Sequence, residues 1–178
     1  MKKVLILSGS PRKNGNSDIL CDEFAHGATD SGHIVEKIRI AEKQIGYCRA
    51  CYACRSTGGK CIIDDDMAEL MNKIIEADVL VLASPVYFYS IDAQLKAVID
   101  RTVCRWTEVK NKEFYYIVTA ADGETEAAET TVACFHGYAE CVEGAEEKGV
   151  IYGMGAYEKG EVKNTPAFYE AYNMGKNV

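Results

Sequence analysis

Four cysteines form the densest group of reactive side chains in the chain. Cys48, Cys51, Cys54 and Cys61 follow the spacing C-x2-C-x2-C-x6-C. Three thiolates two residues apart on an irregular loop can fold round one corner of an iron–sulfur cube. The fourth can close the set from beyond Gly58-Gly59, where glycine permits a tight return. The first three spacings are also those of the bacterial ferredoxin run, whose fourth cysteine serves the other cluster. The same thiolates could instead hold a tetrahedral zinc ion, although zinc ligands come more often as two separated pairs. They could also be spare thiols on a surface loop. These three readings stay open, and the spacing favours a [4Fe–4S] cluster. The other four cysteines, Cys21, Cys104, Cys134 and Cys141, fall on expected helices and read as small buried hydrophobes.

A second group is polar. Ser8-Gly9-Ser10-Pro11-Arg12-Lys13-Asn14-Gly15-Asn16-Ser17 leads from an apolar run into a helix start. Free N–H groups and the positive end of the helix dipole make such a point an anion site. Ser8, Ser10, Asn16 and Ser17 add small donors, and Arg12 and Lys13 add charge. The stretch is neither GxxxxGK[ST] nor GxGxxG. The plain alternative is a polar turn before a capped helix. No side chain stands out as a general acid, base or nucleophile. His26 and His33 read as solvated, and His136 as an ordinary helix residue.

The elements that must position these groups alternate. Lys3 to Leu7 is apolar on both faces, as a central parallel strand covered by helices would be. Ser17-Asp18 can cap a helix with Leu20, Cys21, Phe24, Ala25 and Ala28 on one stripe, ended by Ser31-Gly32. His33 to Ile40 reads as a second strand. Residues 46–63 are irregular. Asp64-Asp65-Asp66 opens a helix with Met67, Leu70, Met71, Ile74 and Ile75 on one face, its acids favouring the positive end. Val79 to Ala83 is a third strand, followed by Ser84-Pro85 and the aromatic loop Val86-Tyr87-Phe88-Tyr89. Ile91, Leu95, Val98 and Ile99 mark the next helix. Phe114 to Thr119 is a strand, Glu124 to Glu143 a helix, Val150 to Tyr152 a short strand and Pro166 to Lys176 a last helix.

This β-α alternation implies an α/β domain, a parallel sheet with helices on both faces. Ligands of open α/β sheets bind at the carboxyl ends of the strands. Three loops, Ser8–Ser17, Ser84–Ser90 and Ala120–Thr125, should therefore converge there. A length of 178 residues fits one domain spanning 1–178. Twenty basic against 27 acidic residues, a net charge of −7, make a general nucleic-acid binder a poor reading. The apolar run after Met1-Lys2-Lys3 stops after four residues, too short for a signal peptide or a membrane span. A cytoplasmic location is therefore expected, with no membrane partner. In that reducing compartment a cysteine cluster points to metal or redox chemistry before disulfides.

Ser-Gly-Ser-Pro-Arg with Asn-Gly-Asn-Ser after the first strand resembles the FMN phosphate loop of the flavodoxin-like NAD(P)H-dependent FMN reductases. Ala83-Ser84-Pro85-Val86-Tyr87 resembles that family's second flavin loop, and Leu95-Lys96-Ala97-Val98-Ile99-Asp100-Arg101 its following helix. Cys48, Cys51 and Cys54, with Gly59-Lys60-Cys61 and Asp65-Asp66-Met67, resemble the iron–sulfur flavoprotein branch. The likeness runs over nearly the whole chain, in order. It implies a flavodoxin-like three-layer α/β/α fold with a five-stranded parallel sheet in order 2-1-3-4-5, and FMN as cofactor. Ser10, Arg12, Asn16 and Ser17 match the phosphate positions. Pro85, Val86, Tyr87 and Phe88 match the loop beside the isoalloxazine. Ala120, Asp122 and Gly123 belong to a third loop, where the family is richer in glycine.

The resemblance implies an oxidoreductase moving electrons from NAD(P)H or reduced ferredoxin through FMN to a small acceptor such as a quinone. The alternative is an electron carrier between protein partners. A homodimer or homotetramer is also implied.

Overall fold

A computed structural model describes residues 1–178. Five strands, β1 (Lys3–Ser8), β2 (Ile34–Arg39), β3 (Val79–Pro85), β4 (Glu113–Thr119) and β5 (Glu146–Gly153), form one sheet in the order β2-β1-β3-β4-β5. Every neighbouring pair is parallel. Six α-helices accompany them: α1 (Asn16–Asp30), α2 (Ala53–Ser56), α3 (Met67–Glu76), α4 (Ala93–Arg101), α5 (Glu129–Ala139) and α6 (Pro166–Lys176). The expected flavodoxin-like order is therefore the observed one.

The central strands are apolar on both faces because each face is covered. Val4 and Ile6 of β1, Val79 and Val81 of β3, and Tyr115 and Ile117 of β4 pack with Leu20 and Phe24 of α1 and Ala167 and Ala171 of α6. The alternating residues Leu5, Leu7, Leu80, Leu82, Phe114 and Tyr116 pack with Met67, Leu70 and Ile74 of α3, Leu95 and Val98 of α4, and Phe135 of α5. This two-residue alternation is the strand period. Each such fully buried side chain contributes about 1.5–3 kcal/mol.

Several local expectations shift. The N-cap of α1 is Gly15, so Ser17 and Asp18 lie inside the first turn. Asp18 instead accepts from the Asn14 N–H (2.8 Å) and pairs with Lys37 and Arg39, which places it below the loop. The stretch 124–143 is a 3-10 turn (Thr125–Ala128) followed by α5, which stops at Ala139. β5 begins at Glu146, earlier than its apolar residues imply, because pairing with β4 recruits an exposed charged stretch. The cysteine segment holds the four-residue helix α2. Of the four cysteines read as core, only Cys21 is buried. Cys104 and Cys134 are half-buried, and Cys141 is exposed beyond α5.

Candidate functional site

The parallel register brings the strand ends level. Ser8 pairs with Ala83, Pro85 with Thr119 and Thr119 with Gly153. The loops leaving β1, β3 and β4 therefore open on one edge, at the point between β1 and β3 where the chain order reverses. A fourth loop, 154–161, joins them, which the sequence reading did not include. Its Ala156 N–H donates to Ala120 O (3.0 Å) and its Gly155 N–H to Asp122 O (2.7 Å).

In the first loop, Ser10, Lys13, Asn16, Ser17 and Asp18 have backbone N–H groups without an acceptor in the chain. They gather at the start of a 15-residue helix. This is the donor set an oxyanion needs, so the loop fits a phosphate. The side chains divide the work. Both Asn16 Nδ2 hydrogens are used, on Ala156 O and Glu158 O (2.9 Å each), and its Oδ1 accepts from Gly160 N–H at 2.9 Å. Asn16 therefore fastens the fourth loop and has no side-chain donor left over. The Ser17 hydroxyl pairs with that of Thr119 (2.6 Å). Arg12 donates to Tyr157 O (3.0 Å), and the Ser10 hydroxyl accepts from the Arg12 N–H (3.3 Å). Ser8 is wholly buried beside Cys21, whose thiol burial pushes up to about 12. Ser8 thus lies beneath the loop and not at its mouth.

Gly9 touches a group the sequence reading missed. A Cβ there would lie 2.1 Å from Asp92 Oδ2, so only glycine lets the first loop pass. Asp92 caps α4 by accepting from the Leu95 N–H (2.9 Å), and its own N–H donates to the Ser84 hydroxyl (2.8 Å). Its second carboxylate oxygen is buried without a partner. Burial pushes this carboxyl above the ordinary aspartate value, against the pull of the Leu95 N–H and Ser84.

The aromatic loop is a strained turn. Tyr87 and Ser90 exchange backbone hydrogen bonds, and Phe88 and Tyr89 between them have φ of 49° and 60°. Bulky residues rarely take this left-handed region, which costs of order 1–3 kcal/mol each. Phe88 is wholly exposed, at 102 %. Phe88 is therefore not held in place by packing against a neighbouring helix. Val86 is fixed by donating to Thr119 O (2.8 Å). In the third loop Ala120 is buried, Asp122 accepts from the Glu124 N–H (2.9 Å), and Gly123 has open space where a Cβ would stand.

The cysteine segment lines a separate cleft with the end of α4 and the residues that follow it. Cys48, Cys51, Cys54 and Cys61 are unpaired thiols lining one cleft of about 500 Å³ with Tyr52, Val103 and Trp106. No three potential ligands stand close enough to hold a single metal ion. Four free thiols facing one cleft are the ligand type an iron–sulfur cluster takes. Gly58 and Gly59 have φ of 66° and 89°, which supplies the expected tight return. Cys104 also lines this cleft, and burial together with Cys61 and Cys54 raises its pKa.

The segment is closed at its base by a buried ion pair. Arg101 donates to both Asp65 oxygens (2.8 and 3.0 Å) and to Gly46 O (2.7 Å), while the Gly46 N–H donates back to Asp65 (2.9 Å). Burial alone would raise the Asp65 carboxyl. Arg101 and the N–H groups of Gly46 and Met67 outweigh it and hold the carboxyl below the ordinary aspartate range. The sequence carried one signal for this: Arg101 continues the buried stripe Leu95-Val98 of α4, where a charge demands a partner.

The model of the NADPH-dependent FMN reductase family matches residues 2–147. An iron–sulfur flavoprotein of Methanocaldococcus jannaschii is 34% identical over 99% of this chain and 95% of its own length. One from Archaeoglobus fulgidus is 46% identical over 57% of this chain, a match that spans 45% of that longer protein. An azoreductase structure from Bacillus anthracis superposes with a TM-score of 0.81 at 17% identity, covering 100% of both chains, which speaks for the fold. No helix is long and apolar enough to cross a membrane. With the sheet order, the loop convergence and the cysteine segment, these matches place the chain in the NADPH-dependent FMN reductase family, in its iron–sulfur flavoprotein branch, as an FMN-dependent oxidoreductase.

Proposed function

We propose that the protein takes electrons from NAD(P)H or reduced ferredoxin through FMN and delivers them to a small acceptor such as a quinone. The observation that carries this reading is the set of five free N–H groups at the start of α1, beside the loops that follow β3 and β4. The N–H groups of Ser10, Lys13, Asn16, Ser17 and Asp18 would hold the phosphate, with Arg12 adding charge. Pro85, Val86, Tyr87 and Phe88 would wall the isoalloxazine, and Ala120, Asp122 and Gly123 would line its far side. When bound, FMN supplies the ability to accept a hydride and to release single electrons. The chain's part is to fix the ring against the Tyr87–Ser90 turn and leave one face open to each partner in turn.

Cys48, Cys51, Cys54 and Cys61 would hold a [4Fe–4S] cluster. A second reading, an electron carrier between protein partners, is favoured by the exposure of Cys48 and Cys51, which lets another protein approach that centre. Cytoplasmic location and a homodimer or homotetramer belong to the same proposal. The exposed Tyr87, Phe88 and Tyr89 are the surface a second copy would cover. The test is anaerobic purification with a visible spectrum, flavin identification and stopped-flow mixing with NADH, NADPH or reduced ferredoxin. Bleaching of the flavin and turnover with a quinone support the enzyme. Bleaching by ferredoxin alone, without quinone turnover, supports the carrier. No bound flavin overturns both.

A further inference from the structure

Arg101 is more than a fold residue. It is only 2 % exposed, yet it carries a charge that arginine cannot shed. Such a burial is costly unless the donors are matched. Asp65 and Gly46 O take up part of the guanidinium, but Nε is fully buried and has no hydrogen-bond partner. Arg101 also lines the cysteine cleft together with Cys61 and Cys104. Burial works against its charge, and Asp65 is the group that chiefly sustains it.

We propose that Arg101 is the positioning residue of the cysteine quartet. It clamps Gly46 to Asp65 at the base of the loop and keeps its free Nε–H donor for the Cys61 sulfur. This rests on the reading that the four cysteines hold a [4Fe–4S] cluster. A donor and a fixed positive charge beside a ligand sulfur stabilise the more negative, reduced state and raise the reduction potential. Asp65 opposes this by neutralising part of the charge. A residue that only held the loop would have no such signed effect.

The experiment is anaerobic reconstitution of the full chain with iron and sulfide, followed by a potentiometric titration read by electron paramagnetic resonance. Wild type is compared with Arg101→Gln, Arg101→Lys and Asp65→Asn, and the FMN midpoint and FMN content serve as internal controls of fold. The cluster midpoint should fall in Arg101→Gln, recover at least in part in Arg101→Lys, and rise in Asp65→Asn, while the FMN midpoint stays put. If Arg101→Gln does not load iron, the other two variants carry the same signed test. Iron-loaded variants with the wild-type midpoint, or Gln and Asn variants shifted in the same direction, overturn the role of Arg101 and leave the cluster reading standing. A wild type that takes up no iron ends both.

Discussion

The Ser17 hydroxyl lies 2.6 Å from the Thr119 hydroxyl, both buried, joining the first turn of α1 to the last residue of β4. The loop after β1 is thereby held against the strand whose own exit forms another wall of the site.

Replacing Ser17 with Asp puts a carboxylate among the free N–H groups. It satisfies the donors that a phosphate would use and repels the phosphate itself. FMN affinity should fall by several kcal/mol, an order-of-magnitude figure for lost charge-assisted hydrogen bonds plus repulsion. Flavin fluorescence titration of the folded variant measures it. Wild-type retention would move the phosphate elsewhere.

The Tyr87–Ser90 turn sets strain against function. Phe88→Gly removes a left-handed bulky residue, at the cost of a more flexible unfolded chain. Thermal unfolding of the apoprotein should show a stability equal to wild type or up to about 1 kcal/mol higher. FMN affinity should drop at least severalfold with the loss of the aromatic wall. A destabilised variant would argue that the turn is not strained.

Asp65 gives a pH signature. Its folded pKa is depressed, so it contributes stability above the ordinary aspartate value, and the contribution is lost as pH falls through the folded value. Asp65→Asn should cost about 3 kcal/mol near neutral pH, because it leaves Arg101 buried without its counter-charge. The difference from wild type should shrink to nothing as acid protonates the wild-type carboxyl. Paired denaturant curves across that range check the sign.

The proposed open flavin face predicts ping-pong kinetics, in which the donor leaves before the acceptor binds. Parallel double-reciprocal lines are expected with NAD(P)H and a quinone. Intersecting lines would require both substrates at once, and the single-face arrangement would then be wrong.

Cys51→Ala should abolish iron uptake and leave FMN in place, since the two sites use different loops. Wild type should hold about four irons per chain, the complement of a [4Fe–4S] cluster. Iron and acid-labile sulfide assays decide the matter. Iron retained by the variant would remove Cys51 from the ligand set.

The sequence by itself determined the sheet and its helices. Runs such as Val79-Leu80-Val81-Leu82 can only be central strands, and the helix-length crossovers between them leave a parallel arrangement. It also determined the polar loop after β1 and the cysteine spacing, which are local features. Tertiary structure decided how each residue is spent. Asn16 reads as a phosphate donor in the chain, but its amide is consumed by a loop 140 residues away at Ala156. Gly9 must be glycine because Asp92 stands across from it. Asp65 looks like one of three acids at a helix start, yet it takes up the buried charge of Arg101. The reason is the same in each case. Strand and helix periods are written in neighbouring residues, whereas a buried polar group's partner is set by whichever distant segment the sheet register brings beside it.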